Sequence, residues 1–389
     1  MDYGLEMLTR PAWIEVDLAA LRENFANIKG LLPEGLPIVA VVKADAYGHG
    51  AVQVAECLLA EGASRLAVAT LDEALTLRRA GITAPIMLLG FCAPELPVLQ
   101  LAVAQELILP VYSLAQAQLL TAAAQAVGRP ALAQLVLDTG MGRIGLLPTP
   151  EGLQEALAIA ALSDLQLEGM FSHFAAADEL DKSYSEQQLN VYQQFAAALA
   201  AAGVKLPLLN LANSAGLMEL PSARLAMVRA GIILYGYYPS ADVERSRLAL
   251  RPVLSIKARL TCVKWLPAGS AISYGCTFVT KRPSLIGTVP VGYADGWRRA
   301  LGNCGEVLLA GLRLPIVGRV CMDQFMVDLT AAAEQGIEVQ AGDEVILLGE
   351  DPQTGERIDA DEIAARLNTI SYEVLSSLLP RLPRIYLNR

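Results

Sequence analysis

Eight short runs of apolar, mostly β-branched residues alternate with Ala- and Leu-rich amphipathic stretches between about residue 36 and residue 236. Near-continuous apolar strands separated by helices are typical of a parallel sheet whose outer face is covered. Eight such units favour an α/β fold with a closed (β/α)8 barrel of the TIM type, and an open doubly wound sheet is the alternative that the pattern leaves open. The predicted strands are PIVAVVK, RLAVAT, PIMLLG, LILPVY, LAQLVLD, LQLEGMFSH, PLLNLA and MVRAGIILYG.

The composition of the chain changes after Pro239, where a polar segment interrupts the α/β alternation. Beyond it, strands alternate with Gly and Pro turns, followed by one predicted helix (DADEIAARLNTISYEVLSSL) and a last strand (RIYL). A chain of 389 residues has room for two domains. We therefore predict a barrel domain over residues 1–240 and a mostly β domain over residues 241–389. The early strand AWIEVD fits either domain.

Charge and cysteine content exclude several classes of function. With 30 Lys plus Arg against 40 Asp plus Glu, the net charge is −10, which disfavours binding of nucleic acid. The six cysteines form no CxxC pair and are typical of reduced thiols, and the beginning of the sequence resembles no secretory signal, so we expect a cytoplasmic protein. Two histidines are too few for a His-rich metal site. Any chemistry must therefore come from Lys, Tyr, Arg or an organic cofactor.

Several reactive side chains stand at predicted carboxyl ends of barrel strands, where active residues of such barrels lie. Lys43 ends PIVAVVK; burial there would lower the pKa of its amine and allow a Schiff base, although a lysine at a strand end can also simply extend towards solvent. His173 ends LQLEGMFSH, and Asp138 ends LAQLVLD. The loop TGMGRIG, which carries Arg143, fits neither a P-loop nor a dinucleotide-binding fingerprint.

A phosphate site is predicted near the last two barrel strands. In the segment LANSAG, Asn213 and Ser214 form a helix start, and Gly231 lets the backbone approach a ligand. Loops after the seventh and eighth strands of these barrels often bind phosphate, so Ser214, Gly231 and the backbone of Ile232 form a plausible cradle. Tyr274 and Tyr293 of the second domain, taken singly, fit ordinary packing residues of strands.

In combination, these segments resemble the bacterial alanine racemases. The strand-ending motif AVVKADAYGHG is similar to the pyridoxal-phosphate lysine motif of that family. The resemblance continues in order through DTGMGRIG, SHFAAADE, ANSAG, RAGIILYG, SYGCTF, VGYADG, GRVCMDQ and TISYEV, and so covers essentially the whole chain.

The resemblance implies pyridoxal 5'-phosphate as cofactor, bound covalently through Lys43. It also implies that Arg229 faces the nitrogen of the pyridine ring. An arginine, unlike an aspartate, does not keep that nitrogen protonated, so the ring becomes a weaker electron sink and side reactions are disfavoured. The positions that hold the phosphate in the family are matched here by Tyr47, Ser214, Gly231, Ile232 and Tyr372.

The resemblance further implies a second catalytic base, Tyr274, on the cofactor face opposite Lys43 and supported by His173 and Arg229. The substrate carboxylate is contacted at positions that match Arg143 and the backbone of Met322, with Asp323 and Tyr293 nearby. In the family, the positions of Tyr274 and Met322 reach the active site of the partner subunit. The resemblance therefore implies a homodimer with shared active sites.

The chain departs from the family pattern at Val136. Many family members carry there a lysine that is carbamylated and orients the substrate-binding arginine. Valine cannot form a carbamate, so Arg143 is expected to be held by another acceptor, by a bound anion or by packing.

The resemblance implies an isomerase that interconverts L-alanine and D-alanine by a two-base mechanism and supplies D-alanine for peptidoglycan. A racemase of other or broader amino acids on the same scaffold remains an alternative, although Tyr372 and Tyr293 would favour a methyl side chain. A decarboxylase of basic amino acids would be expected to place an acidic group where this chain has Arg229. A non-catalytic pyridoxal-phosphate carrier resembles the barrel alone and would lack the second domain.

Overall fold

The computed structural model describes residues 9–389, and its backbone contacts divide them into two units. The first unit comprises Ala20–Ala46 and Gly50–Arg251. The second comprises the described residues up to Ala19, the short segment Tyr47–His49 and Pro252–Arg389. None of the helices within residues 9–389 is long and apolar enough to cross a membrane.

Strands and helices alternate in the first half of the chain, whereas strands predominate in the second. The strands are β1 (Ala12–Asp17), β2 (Ile38–Val41), β3 (Arg65–Val68), β4 (Ile86–Leu88), β5 (Leu107–Val111), β6 (Ala131–Val136), β7 (Leu165–Phe171), β8 (Leu208–Asn210), β9 (Val228–Ala230), β10 (Leu254–Arg259), β11 (Cys262–Leu266), β12 (Ala271–Ile272), β13 (Phe278–Val279), β14 (Ser284–Val289), β15 (Glu306–Leu309), β16 (Leu312–Val317), β17 (Phe325–Asp328), β18 (Glu344–Glu350), β19 (Arg357–Ile358) and β20 (Arg384–Leu387). The helices are α1 (Leu18–Leu31), α2 (Lys43–Tyr47), α3 (Ala51–Ala60), α4 (Leu71–Arg79), α5 (Leu96–Ala104), α6 (Leu114–Val127), α7 (Pro150–Ala160), α8 (Ser183–Ala201), α9 (Ser214–Glu219), α10 (Thr330–Glu334), α11 (Ala360–Leu367) and α12 (Ser371–Ser376).

The first unit contains the predicted eight-stranded parallel barrel. Its strands pair in the order β8-β7-β6-β5-β4-β3-β2-β9, and each predicted strand contains one of them. The last prediction, MVRAGIILYG, is too long, because only Val228–Ala230 is strand and Ile232–Tyr235 form a 3-10 turn. Two backbone hydrogen bonds link the edges, from Ala226 N to Leu209 O (3.0 Å) and from Arg229 N to Ala212 O (3.0 Å). The strand interiors are apolar and largely buried, because helices cover the sheet from outside. The closed barrel is therefore confirmed against the open doubly wound sheet.

The second unit is mostly β, as predicted. Its large sheet runs in the order β11-β14-β17-β16-β15-β18-β10-β1-β20, with β19 paired to β18, and β12 and β13 form a separate hairpin. The early strand AWIEVD, which fitted either domain, lies in this sheet as β1: it is antiparallel to β10, with Ile14 opposite Ile256, and parallel to β20.

The single helix predicted for DADEIAARLNTISYEVLSSL is wrong, because the structure breaks it into α11 and α12. Asn368 caps α11 in the left-handed region (φ 53°). Asparagine tolerates that conformation better than most residues, and the helical direction cannot continue through it. The apolar pattern of the segment is periodic on both sides of the break, which is why the sequence reads as one helix.

Candidate active site

Lys43 lies at the carboxyl end of the barrel, as predicted, and Val42 alone separates it from the end of β2. Burial lowers the pKa of its amine, the positive charges of Arg143 and Arg229 lower it further, and the negative charge of Glu73 acts in the opposite direction. A lysine with a lowered pKa offers more of the neutral amine at neutral pH, which is the form that reacts with a carbonyl group.

The chain after Lys43 forms a left-handed turn, α2, in which Ala44, Asp45, Ala46 and Tyr47 all have φ between 52° and 53°. For residues other than glycine this region costs about 1–2 kcal/mol each. Hydrogen bonds oppose that cost: Ala46 N donates to Val42 O (2.9 Å), and Asp45 accepts from Gly50 N (2.9 Å) and Ala51 N (2.8 Å). Nothing in the sequence motif indicates this strained backbone.

Arg229, on β9, is buried, and its guanidinium meets only neutral groups. It donates to Ser172 O (2.7 Å), to Leu211 O (3.2 Å) and to Asn210 Oδ1. Burial lowers the pKa of Arg229 to about 10, which leaves the side chain protonated at neutral pH. No carboxylate of residues 9–389 forms an ion pair with Arg229, so its charge is not neutralised locally.

His173 follows β7, and its Nδ1 lies 3.3 Å from a guanidinium nitrogen of Arg229. Because a guanidinium only donates, Nδ1 is the acceptor and the ring proton is on Nε2. Burial and the charges of Arg229, Arg143 and Lys43 lower the pKa of His173 to about 3. The imidazole is therefore neutral at physiological pH.

Arg143 lies in the loop after β6, and Asp138 shapes this loop by accepting hydrogen bonds from Gly140 N (2.9 Å) and Gly142 N (3.0 Å). Within the described chain, no acceptor contacts the Arg143 guanidinium. A small cavity lies beside it, with a volume of about 10 Å³, roughly the space that one water molecule needs. The lining residues of the cavity include Val136, Asp138, Arg143 and His173.

The predicted phosphate residues of the barrel lie together. Asn213 caps α9 by accepting a hydrogen bond from Gly216 N (2.9 Å), which confirms the predicted helix start. Ser214 Oγ accepts a hydrogen bond from Gly231 N (2.9 Å), and Ile232 follows directly at the beginning of a short 3-10 turn. This contact brings the ends of β8 and β9 into one cluster.

The other two predicted phosphate residues, Tyr47 and Tyr372, lie in the second unit with their ring centroids 6.1 Å apart. Burial raises the pKa of Tyr47, so its hydroxyl keeps its proton and can donate a hydrogen bond. Gly48 has φ 82°, and a Cβ added there would lie 2.3 Å from Leu375 O. Only glycine therefore allows this close approach of the backbone to α12.

The predicted substrate residues of the second unit lie in two segments that are joined by backbone hydrogen bonds. Backbone hydrogen bonds join Tyr293 N to Cys321 O (3.1 Å) and Ala294 N to Met322 O (2.9 Å). Asp323 pairs with Arg381 (2.7 Å). These contacts bring Tyr293, Met322 and Asp323 to one surface of the unit.

Tyr274 begins a short 3-10 turn between β12 and β13, and 72% of its surface is exposed. It follows Ser273, whose Oγ donates to Arg319 O (2.6 Å) and so links the turn to the chain before Met322. The phenol is thus presented on the surface of the second unit.

Sequence reasoning missed several residues that hold these side chains. Asn210 accepts a hydrogen bond from Arg229 and donates one to Gln134 Oε1 (3.1 Å), and Gln134 donates in turn to Glu168 (2.8 Å). A chain of polar side chains thus runs from buried Arg229 to half-buried Glu168. Glu73 accepts a hydrogen bond from Ala44 N (2.6 Å). A polar residue within an apolar strand was the available signal for Gln134, whereas nothing in the sequence connects Glu73 with Lys43.

A buried carboxylate anchors the Tyr293 turn. Asp295 is fully buried; its carboxylate accepts two hydrogen bonds from Arg10 (2.5 and 2.7 Å) and one from Gly292 N (2.8 Å). Asp295→Ala leaves Gly292 N without its acceptor and removes one acceptor of the half-buried Arg10, so it is expected to lower the free energy of unfolding by about 1–3 kcal/mol. Urea denaturation checks this value. Exposed Asp242 is the control, and Asp242→Ala should change stability by less than about 0.5 kcal/mol; an equal loss in both variants would contradict the anchoring role.

Comparison with known proteins gives one consistent result. The family model for the alanine racemase N-terminal domain matches residues 16–239, and the model for the C-terminal domain matches residues 253–386. An alanine racemase from Clostridium novyi is 44% identical over 378 residues, which cover 97% of this chain and 96% of the relative.

Solved structures agree. An alanine racemase from Clostridium difficile 630 has a TM-score of 0.93 at 43% identity, covering 98% of this chain and 96% of that one. A Bartonella henselae alanine racemase with covalently bound pyridoxal phosphate has a TM-score of 0.83 at 29% identity, covering 97% of this chain and 99% of that one. The resemblance noted in the sequence is confirmed, and the chain belongs to the alanine racemase family of isomerases.

Proposed function

We propose that this chain interconverts L-alanine and D-alanine with pyridoxal phosphate bound covalently to Lys43. The proposal rests on the position and chemistry of the Lys43 amine. Lys43 lies at the carboxyl end of the barrel of an alanine racemase family member, and burial together with the charges of Arg143 and Arg229 lowers the pKa of its amine. Such an amine can capture an aldehyde at neutral pH.

The charges around Lys43 fit an anionic cofactor. Lys43, Arg143 and Arg229 act on one another electrostatically, and Arg229 has no carboxylate partner among the described residues. A bound phosphate and phenolate oxygen would supply the missing negative charge. This excess of positive charge is an observation of the chain itself and does not depend on the relatives.

In this proposal Ser214, Gly231, Ile232, Tyr47 and Tyr372 hold the phosphate, and the protonated hydroxyl of Tyr47 is a donor. Arg229 faces the ring nitrogen as a donor that stays charged. When bound, the cofactor withdraws electrons from the α-carbon of the substrate and makes its proton acidic.

Racemisation requires a proton to leave one face of the α-carbon and to return on the other. Lys43 Nζ removes the α-proton of D-alanine, and Tyr274 Oη removes that of L-alanine. His173, neutral and oriented by Arg229 at Nδ1, can donate a hydrogen bond from Nε2 without carrying charge. Each base returns a proton on its own face, so the two directions of the reaction use the same pair.

Arg143 and the backbone of Met322 bind the substrate carboxylate in this proposal, with Asp323 and Tyr293 beside them. The bulky rings of Tyr293 and Tyr372 favour a methyl side chain. A racemase of broader range is the second candidate. Val136 favours it, because without a carbamate at this position Arg143 is held less firmly and selects less strictly among substrates.

We further propose a homodimer in which Tyr274 and Met322 serve the site of the partner. Both side chains are more than half exposed, at 72% and 52%, although they are large and apolar. Exposed aromatic and methionine side chains are typical of interfaces. The product would supply peptidoglycan synthesis in the cytoplasm, a compartment that fits six cysteines without a disulfide.

A coupled assay tests the function. The protein loaded with pyridoxal phosphate is offered a panel of L-amino acids, and D-amino-acid oxidase detects each product. Alanine should be turned over fastest, and the larger side chains much more slowly. Comparable rates across the panel would favour the broader racemase, and release of CO₂ from lysine or arginine without a D-product would instead identify a decarboxylase.

The Val136 position leads to a prediction about small molecules. Because valine cannot be carbamylated, activity should not change when dissolved CO₂ is removed. No acceptor among residues 9–389 contacts the Arg143 guanidinium, so a bound chloride could take that place, and chloride is expected to lower the KM for alanine. Initial rates in degassed buffer, with chloride exchanged for gluconate at constant ionic strength, measure both effects. A CO₂ requirement would show that another lysine replaces the missing one.

A further inference from the structure

Glu73 joins three parts of the barrel through one carboxylate. Its Oε1 accepts a hydrogen bond from Ala44 N (2.6 Å), and its Oε2 accepts from Ala69 N (2.7 Å) and Thr70 N (3.2 Å). Ala69 follows β3, Thr70 caps α4, and Ala44 is the first residue after Lys43. A single side chain therefore fastens the residue after Lys43 to the end of the neighbouring strand.

The position of this contact matters because the backbone after Lys43 is strained. The left-handed conformation begins at Ala44, and an L-residue adopts it only when its surroundings hold it there. The hydrogen bond from Ala44 N to Glu73 is made at the first strained residue. Since the Lys43 amine is carried by the preceding residue, any relaxation of Ala44 redirects the amine.

The negative charge of the Glu73 carboxylate also acts on the Lys43 amine. The groups that act on Lys43 from the surrounding elements are Arg143 in the loop after β6, Arg229 on β9, His173 after β7 and Glu73 on α4. The two arginines lower the pKa of Lys43, whereas Glu73 raises it. His173, with its pKa of about 3, is neutral. Glu73 is thus the acidic group that counteracts the arginines.

We infer that Glu73 is a positioning residue of the reaction: it fixes the left-handed turn that aims Lys43 and supplies the negative charge that acts on the Lys43 amine. This inference rests on the proposed role of Lys43. A helix cap alone would stabilise α4 and would have no effect on the amine.

The experiment compares Glu73→Gln with the wild type and two matched controls in the full-length chain. Asp72→Asn removes a neighbouring, exposed carboxylate from the same first turn of α4. Thr70→Ala removes the other half of the helix cap, the bond from Glu73 N to Thr70 Oγ1, without touching Ala44. The chain is freed of cofactor, and Lys43 is acylated at a series of pH values. Mass spectrometry measures the labelled fraction of Lys43, and the pH of half-maximal labelling is the midpoint.

Loss of the Glu73 charge should move this midpoint to lower pH by at least half a unit, which raises labelling below the midpoint about threefold. In the chain loaded with pyridoxal phosphate, hydrogen exchange at the Ala44 amide should rise by about tenfold or more, as for loss of a bond to a charged acceptor. The kcat of the loaded variant should fall by about tenfold, with KM changed less than about threefold. Both controls should keep the wild-type midpoint and exchange.

Glu73→Asp distinguishes the effect of the negative charge from the effect of side-chain length. If Glu73→Gln does not fold, this second variant still tests the inference. It keeps the charge but is one methylene shorter, so exchange at Ala44 should rise while the midpoint stays near that of the wild type. An unchanged midpoint in Glu73→Gln, or the same shift in Thr70→Ala, would overturn the inference. Failure of the wild-type protein to racemise alanine would refute the proposed function instead, and the Lys43 titration would still decide the role of Glu73.

Discussion

Replacing Lys43 by alanine is expected to lower racemisation in both directions by at least about 10⁴-fold, the upper range for loss of a positioned base. The loss should reach this limit because one side chain both holds the cofactor and moves the proton. The variant should also fail to retain pyridoxal phosphate after borohydride reduction. Mass spectrometry of the peptide that contains Lys43, together with activity from either enantiomer, measures both effects.

Lys281→Ala is the matched control, since Lys281 is an exposed lysine of the second unit. This variant should keep wild-type activity and cofactor content. If Lys43→Ala retained substantial turnover, or if borohydride fixed the cofactor to another peptide, the central assignment would be lost.

Tyr274→Phe is expected to reduce racemisation by about 10² to 10⁴-fold, because phenylalanine keeps the ring but lacks the group that carries the proton. Binding of the cofactor should be unchanged. Exchange of the α-proton with deuterated solvent should persist for D-alanine, through Lys43, and nearly vanish for L-alanine. The D-alanine exchange is an internal control for an intact site. Equal loss of exchange from both enantiomers would refute the assignment of faces.

The same variant tests the shared site. Lys43→Ala and Tyr274→Phe subunits should each have strongly reduced activity, but a mixed dimer would contain one site with both bases. Mixing the two under conditions that allow subunit exchange should therefore restore part of the activity. Absence of activity in mixed dimers verified by native mass spectrometry would contradict a site built from two subunits.

Most of the fold could be predicted from the sequence, because the signals for it are local. Each barrel strand is an apolar run bounded by helix signals, and the number of these runs favours a barrel. Only the hydrogen bonds that link the β8 and β9 edges decided against an open sheet. The break between α11 and α12 was missed, because Asn368 takes a left-handed conformation that the apolar pattern does not record. The sheet position of β1 was left open, because pairing partners more than 200 residues apart leave no local trace.

The sequence by itself determined the family, the barrel followed by a β domain, and the residue types of the site, because motifs and periodicity are carried by neighbouring positions. Only the tertiary structure decided how those residues are charged and held. Three features depend on groups that are distant in the chain: the burial of Arg229 with no carboxylate partner among residues 9–389, the neutral state of His173, and the hydrogen bond that Glu73 accepts from Ala44 N. Electrostatic energies and hydrogen bonds depend on distances in space, and spacing along a sequence does not encode these distances until the chain has folded.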